Sequence, residues 1–327
     1  MIVERETWKK NHKLFSKGAL YKVPFLIYYF MIKTNSELPI TLLHQYNEKL
    51  NDFDLVLFHL YISEPTYRDY FNMMRETHPE RTMILDNSAY EFFVKGEELD
   101  LDEYEKAIID LNPDYYILPD VLMDKVQTVT NILKFQKSHQ RNIEKYFENT
   151  EEGAPQPIAV AQGKTIDEFN SCLTMLFNMG YNNIAIPFHN SFFKEEFDEC
   201  DGEIAYEFAL AGYQFCTEDV RYAMGRCMWM KKYGLGILSP DGSPKYTMLH
   251  FLGSHCPAEK KYLKTLFSPS SNVSMDTGYP VKCAIKGEIL GQEKGKPNII
   301  IDEFMLDEFS IAEQRLIEDN VNTFRNY

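Results

Sequence analysis

Short apolar runs recur along this chain, and few of them alternate apolar with polar residues. In order they are Pro24–Phe30, Phe53–Leu60, Thr82–Asp86, Tyr115–Asp120, Pro157–Gln162, Asn183–Pro187, Thr247–Gly253 and Asn272–Asp276. Runs of this kind fit parallel strands buried on both faces, where neither side needs polar residues. Amphipathic stretches separate them. Leu101–Leu111 opens with acidic residues and carries an apolar stripe, and Asp124–Gln136 repeats the design. Thr165–Met179 ends before Gly180, a residue suited to closing a helix. Strand alternating with helix through about eight repeats predicts an α/β fold, a closed (β/α)8 TIM barrel rather than an open sheet.

Two segments interrupt this rhythm. Gln140–Gln156 is polar and acidic and reads as a surface loop or a frayed helix end. Glu195–Tyr246 reads as a long insertion before the seventh strand, helical over Ile204–Tyr233 and then rich in Gly, Ser and Pro. Because it follows a strand, it is expected over the catalytic face. With no linker and no repeat, the expectation is a single barrel domain over 1–327. It would carry the helical insertion at about 195–246 and a short helical extension at about 284–327.

Composition narrows the classes. A chain 44% hydrophobic and 25% charged is globular in type, and no run approaches the ~18 apolar residues of a membrane span. The first residues lack the apolar centre of a secretory signal, and the six cysteines include no CxxC pair. Reduced thiols in a cytoplasm are expected. The net charge of −15 argues against a protein that coats nucleic acid, although a local basic groove remains compatible with it. Lys9, Lys10, Lys13, Lys17 and Lys22, with Trp8 and His12 among them, form the clearest basic cluster; such a cluster is more often a solvated face.

The chemistry gathers where the predicted strands stop. The third ends on Asp86, followed by Asn87-Ser88-Ala89-Tyr90; the fourth ends on Asp120, the fifth on Gln162-Gly163, the seventh on Leu252-Gly253 and the eighth on Asp276. A lone Asp in such a place is often a helix cap. Several polar ends around one barrel mouth suggest a site, because that rim is where this fold keeps its catalysis. Crowded carboxylates repel one another, which separates a protonated acid from an ionised nucleophile. Paired carboxylates suit glycosyl transfer, Asp with Gln can read a purine edge, and Tyr90 offers a ring for stacking.

The ordered motifs DNSAYE, LPDV, VAQGK, IAIP, HFLG and SMDTGYPVK, between Met83 and Lys282, resemble those of the tRNA-guanine transglycosylases. More narrowly, they resemble the DpdA-type phage and bacterial enzymes that place 7-deazaguanines in DNA. The resemblance implies a pentosyltransferase that exchanges guanine for a free 7-deazaguanine base such as preQ0, with no cofactor. Asp276 would be the nucleophile and Asp86 the general acid/base. Asp120, Gln162 and Gly163 would read the base, Tyr90 and Leu252 would sandwich it, Gly253 would allow close approach, and Lys282 stands where the family has arginine. The setting implied is cytoplasmic, that of a host cell if the chain is phage-encoded.

Departures bear on the substrate. Pro187-Phe188 stands where the family has a glycine pair, and after Asp276 the sequence offers only Cys283 toward the Cys3His zinc site of the tRNA enzymes. DNA is therefore the expected partner, with tRNA the alternative and no membrane partner. Arg221, Arg226, Lys231 and Lys232 are candidates for a phosphate track. A non-catalytic nucleic-acid-binding subunit and a sugar glycosidase are the rival classes. Asp276 counts against the first, and the absence of Glu pairs on the strand ends against the second. His189 and His255 are pocket candidates, and His250 reads as a packed core histidine.

Overall fold

The computed structural model describes residues 31–148, 150, 153–188, 191–198, 205, 208–209, 218–233, 245–268, 270–292 and 305–327. Its frame is a set of short parallel strands: β1 Lys33–Ser36, β2 Asp54–Leu57, β3 Met83–Asp86, β4 Tyr115–Ile117, β5 Gln156–Val160, β6 Asn183–Ile186, β7 Met248–Phe251 and β8 Val273–Thr277. They pair in the order β1-β8-β7-β6-β5-β4-β3-β2, and every pair is parallel. The helices are α1 Leu43–Leu50, α2 Phe58–Ser63, α3 Pro65–Thr77, α4 Ala89–Lys95, α5 Leu101–Leu111, α6 Lys125–Phe135, α7 Arg141–Phe147, α8 Ile166–Asn178, α9 Ser191–Asp198, α10 Glu218–Tyr233, α11 Pro257–Leu263, α12 Tyr279–Ile285 and α13 Ile311–Asn326. Helices follow strands around the sheet, which makes this a (β/α)8 barrel as the alternation predicts.

Side chains join β1 to the residues that lead into β2, at the two ends of the sheet. Asn35 Nδ2 donates to the Phe53 carbonyl at 2.8 Å, and Asn51 receives the Ser36 N–H at 2.7 Å while returning a bond to the Ser36 carbonyl at 3.0 Å. Asp52 accepts the Thr34 N–H at 2.9 Å. This seam explains a misplaced expectation. The first strand was expected at Pro24–Phe30, which lies outside the described residues, whereas the strand that pairs with β8 is the polar Lys33–Ser36. Thr34, Asn35 and Ser36 are buried, and polar groups tolerate burial when they are hydrogen-bonded.

Elsewhere the pattern holds with adjusted ends. α5 matches its predicted span and is capped by Asp100, whose side chain accepts from the N–H groups of Asp102 and Glu103. α8 is capped by Thr165. The second predicted strand overshoots: the chain turns helical at Phe58. β4 stops at Ile117, two residues before Pro119, which has no N–H to continue a ladder. The polar stretch from Gln140, expected as a surface loop or a frayed helix end, is helical through Phe147 and joined to α6 by a π-helical turn, because Ile143 and Phe147 bury an apolar face.

The segment expected as an insertion at about 195–246 is described only in part. Its described helix, α10, buries Ala223, Met224, Arg226, Cys227 and Trp229, and Trp229 Nε1 donates to Asn170 on α8 at 3.0 Å. α10 thus packs against α8. Most of the rest of 195–246 lies outside the described residues. α13, expected as part of an extension, packs against α12 and α1 as the wall after β8. Among the described residues no helix is long and apolar enough to cross a membrane.

Candidate active site

At the C-terminal ends of the strands a cavity of about 220 Å³ opens, lined by Glu37, Asp86, Tyr90, Asp120, Gln162 and Asp276 among others. Of the site residues expected from the sequence, Leu252, Gly253 and Lys282 also line it. Gly163 does not. A Cβ there would sit 2.5 Å from the backbone nitrogen of Phe169, so this glycine lets β5 turn against the start of α8.

The rim divides into two arcs. On β3 to β5 lies a hydrogen-bonded reading frame. Asp120 accepts from Asn87 Nδ2 at 2.8 Å and from Gln162 Nε2 at 2.7 Å, and Gln162 Oε1 accepts the Met123 N–H at 2.9 Å. Met123 adopts φ 57 to aim that N–H, a conformation uncommon for a residue with a side chain. Asn87 also donates to the Leu118 carbonyl at 2.8 Å. The amide of Gln162 is thereby oriented, with one Nε2 proton committed to Asp120 and a second to offer. Burial raises the Asp120 carboxyl above the ordinary range, and the bonds from Asn87 and Gln162 partly offset this.

Asp86 stands at the start of this arc. Its Oδ2 accepts the Ser88 N–H at 3.0 Å, and Ser88, at φ 56, turns the chain sharply into α4. The Ser88 hydroxyl lies 2.9 Å from His59 Nδ1, which ties the turn to α2. Burial raises the Asp86 carboxyl well above the usual carboxylate range, and Glu91, Asp276 and Asp120 push the same way. An acid so placed keeps its proton to higher pH than an ordinary carboxyl.

The opposite arc, β7, β8 and β1, presents Asp276. This carboxylate is 5% exposed, and both its oxygens lie 3.0 Å from the Gly253 N–H. Gly253 at φ +60 makes that approach possible; a side chain would strain the turn. His250 Nε2 lies 3.1 Å from Asp276 Oδ1, out of line for a hydrogen bond, and His250 Nδ1 lies 2.8 Å from Ser274 Oγ. The histidine read as core packing thus sits under the candidate nucleophile. Only the register places it there: His250 on β7 pairs with Ser274, two residues before Asp276 on β8.

Two further corrections concern charge. Arg226, expected on a phosphate track, is fully buried: it pairs with Glu259 at 2.6 Å and donates to the carbonyls of Ile186, Leu252 and Gly253 at 3.1, 2.9 and 2.7 Å. It holds the ends of β6 and β7 together. Glu37, which sequence reasoning missed with its strand, enters the cavity beside Asp276. His255 lines the cavity, its ring against Phe188 and Tyr279, while His189 lies outside the described residues. Tyr90 is 51% exposed at the mouth. Among the described residues no group of His, Cys, Asp and Glu has the arrangement to hold a metal ion.

Fold and rim together define a (β/α)8 barrel with an acid-lined pocket, oriented amides on one arc and a backbone-held carboxylate on the other. No protein-family model and no curated protein matches this sequence.

Proposed function

We propose that this protein is a transglycosylase that exchanges guanine in DNA for a 7-deazaguanine base through a covalent aspartyl-glycosyl intermediate. The observation that carries the reading is the pairing of arcs in one pocket: Asp276, held by the Gly253 N–H, opposite the Asn87–Asp120–Gln162 frame with Asp86 beside it. A cavity of about 220 Å³ is small beside the ~300–1,000 Å³ of most ligand sites, and suits a single base with its sugar at the mouth.

The steps balance without an external reactant. The Asp276 carboxylate attacks C1′ of the sugar, the C1′–N9 bond breaks, and its electron pair leaves with guanine as Asp86 supplies a proton. The incoming base gives a proton to Asp86, its N9 attacks C1′, and the ester to Asp276 breaks. Two inversions at one carbon return the starting configuration. The second Nε2 proton of Gln162 suits the base carbonyl, and Asp120 suits the N–H edge. A base in duplex DNA must be extruded or offered in a single strand.

The test is exchange on DNA carrying labelled guanine, with excess 7-deazaguanine bases, hydrolysis and identification of the nucleosides. Label release with a modified deoxynucleoside is expected. Asp276→Ala should lower the rate by roughly 10⁴ or more and abolish the covalent adduct. Exchange on tRNA alone would transfer the reading to the tRNA substrate, and no exchange on either would overturn it.

A further inference from the structure

β1 runs beside β8 with Asn35 opposite Asp276, and the Glu37 N–H donates to the Thr277 carbonyl at 3.0 Å. Glu37 therefore enters the pocket on the same arc as the candidate nucleophile, one strand away. Its residue keeps partial exposure through the pocket, yet its Oε2 is out of solvent contact and has no hydrogen-bond partner. A buried oxygen left unsatisfied is costly, and such groups gather where a ligand supplies the missing bond. The surroundings are Leu55 and Leu57 of β2, Asp276 of β8, Lys282 of α12, Glu91 of α4 and Tyr67 of α3. Burial pushes the Glu37 carboxyl up to about 8, with Asp276 and Glu91 adding to the effect and Lys282 opposing it.

The arcs decide what Glu37 meets. If the β3–β5 frame reads the base and Asp276 attacks C1′, the remainder of the nucleotide falls toward β8, β1 and Lys282. We propose that Glu37 contacts this pentose–phosphate portion, its carboxyl turning to donate a hydrogen bond to a sugar or phosphodiester oxygen. The identity of the ligand rests on the base-exchange reading; the role of Glu37 as a ligand contact rests on the unsatisfied oxygen. Below about pH 8 the carboxyl carries the donated proton, and above it a negative charge faces the same oxygen.

The experiment compares wild type, Glu37→Gln and Glu37→Ala from about pH 6 to about pH 9, with thermal melts as a fold check. Exchange kinetics and binding are both read, on a guanine-containing single-stranded oligonucleotide and on guanosine and deoxyguanosine. Wild-type KM and Kd should rise about tenfold as pH passes 8. Glu37→Gln keeps a donor and should bind well with a flat profile, while Glu37→Ala should bind about tenfold more weakly at neutral pH with kcat little changed. An effect that persists on nucleosides assigns the contact to the sugar, and one confined to the oligonucleotide assigns it to a phosphodiester. If Glu37→Ala melts early, the Glu37→Gln profile alone decides. Exchange with unchanged KM and pH profile in both variants overturns the contact alone. Binding whose pH dependence vanishes in Glu37→Gln, without any exchange, overturns the reaction and keeps the contact. Neither binding nor exchange overturns both.

Discussion

Asp86 sits half-buried at the end of β3, in surroundings that cost stability. Its raised carboxyl means that the folded chain keeps a proton the unfolded chain has released, over the window from its ordinary value near 4 up to the raised one. In that window the folded state binds more protons, so stability falls as pH rises, the reverse of a salt-bridged carboxylate. Asp86→Asn should therefore melt higher than wild type at neutral pH and lose part of the downward slope, while base release slows by roughly 10²–10⁴ with the proton donor gone. Melts across pH beside single-turnover release measure both; a variant less stable at neutral pH would contradict the assignment. Asp86, Asp120, Gln162 and Asp276 were legible because each follows an apolar run whose end is easily seen. Glu37 and His250 were not. Glu37 follows a strand without an apolar run, and His250 looks like core until β7 and β8 are paired, since only the register sets it below Asp276.

Elements in this barrel are joined by polar groups at points where strand hydrogen bonding ends. Arg226 is the clearest case, reaching from α10 to Glu259 and to three carbonyls at the ends of β6 and β7. Since the Gly253 N–H is the donor to Asp276, the arginine positions the peptide that positions the carboxylate. Arg226→Met should cost about 3–5 kcal/mol by leaving Glu259 buried without its counter-charge, and Arg226→Met with Glu259→Leu should recover much of it. Denaturant melts of the single and double variants test this, and additivity would refute the coupling. Asn51 at the β1–β2 seam serves the same purpose for Ser36, and Asn51→Ala should cost about 1–3 kcal/mol by orphaning the buried Ser36 groups. Sequence periodicity announces elements that bury apolar faces, which is why α5 and α8 were read almost to the residue. It is silent on elements held by polar pairing, which is why β1 was misplaced and Arg226 read as surface charge.

At the scale of the whole molecule, a chain of net charge −15 repels the polyanion it is proposed to act on. Binding must then depend on few phosphate contacts near the mouth, where Lys95 and Lys282 line the cavity, and on the pocket's hold on one base. Counterion release scales with phosphates neutralised, at about 0.7 per contact for a single strand. The prediction is a shallow salt dependence, with log K against log salt falling at a slope of about −1 to −2 on a single-stranded oligonucleotide, and with Lys282→Ala reducing the magnitude by about 0.7. A slope several times steeper would mean that a larger basic surface takes part. The lysines between Lys9 and Lys22 are then the segment to neutralise, and loss of the extra slope on their substitution would assign it to them. A shallow slope insensitive to Lys282 would instead leave base capture as the main source of affinity. It would make free 7-deazaguanine a strong competitor of the nucleic acid for the same pocket.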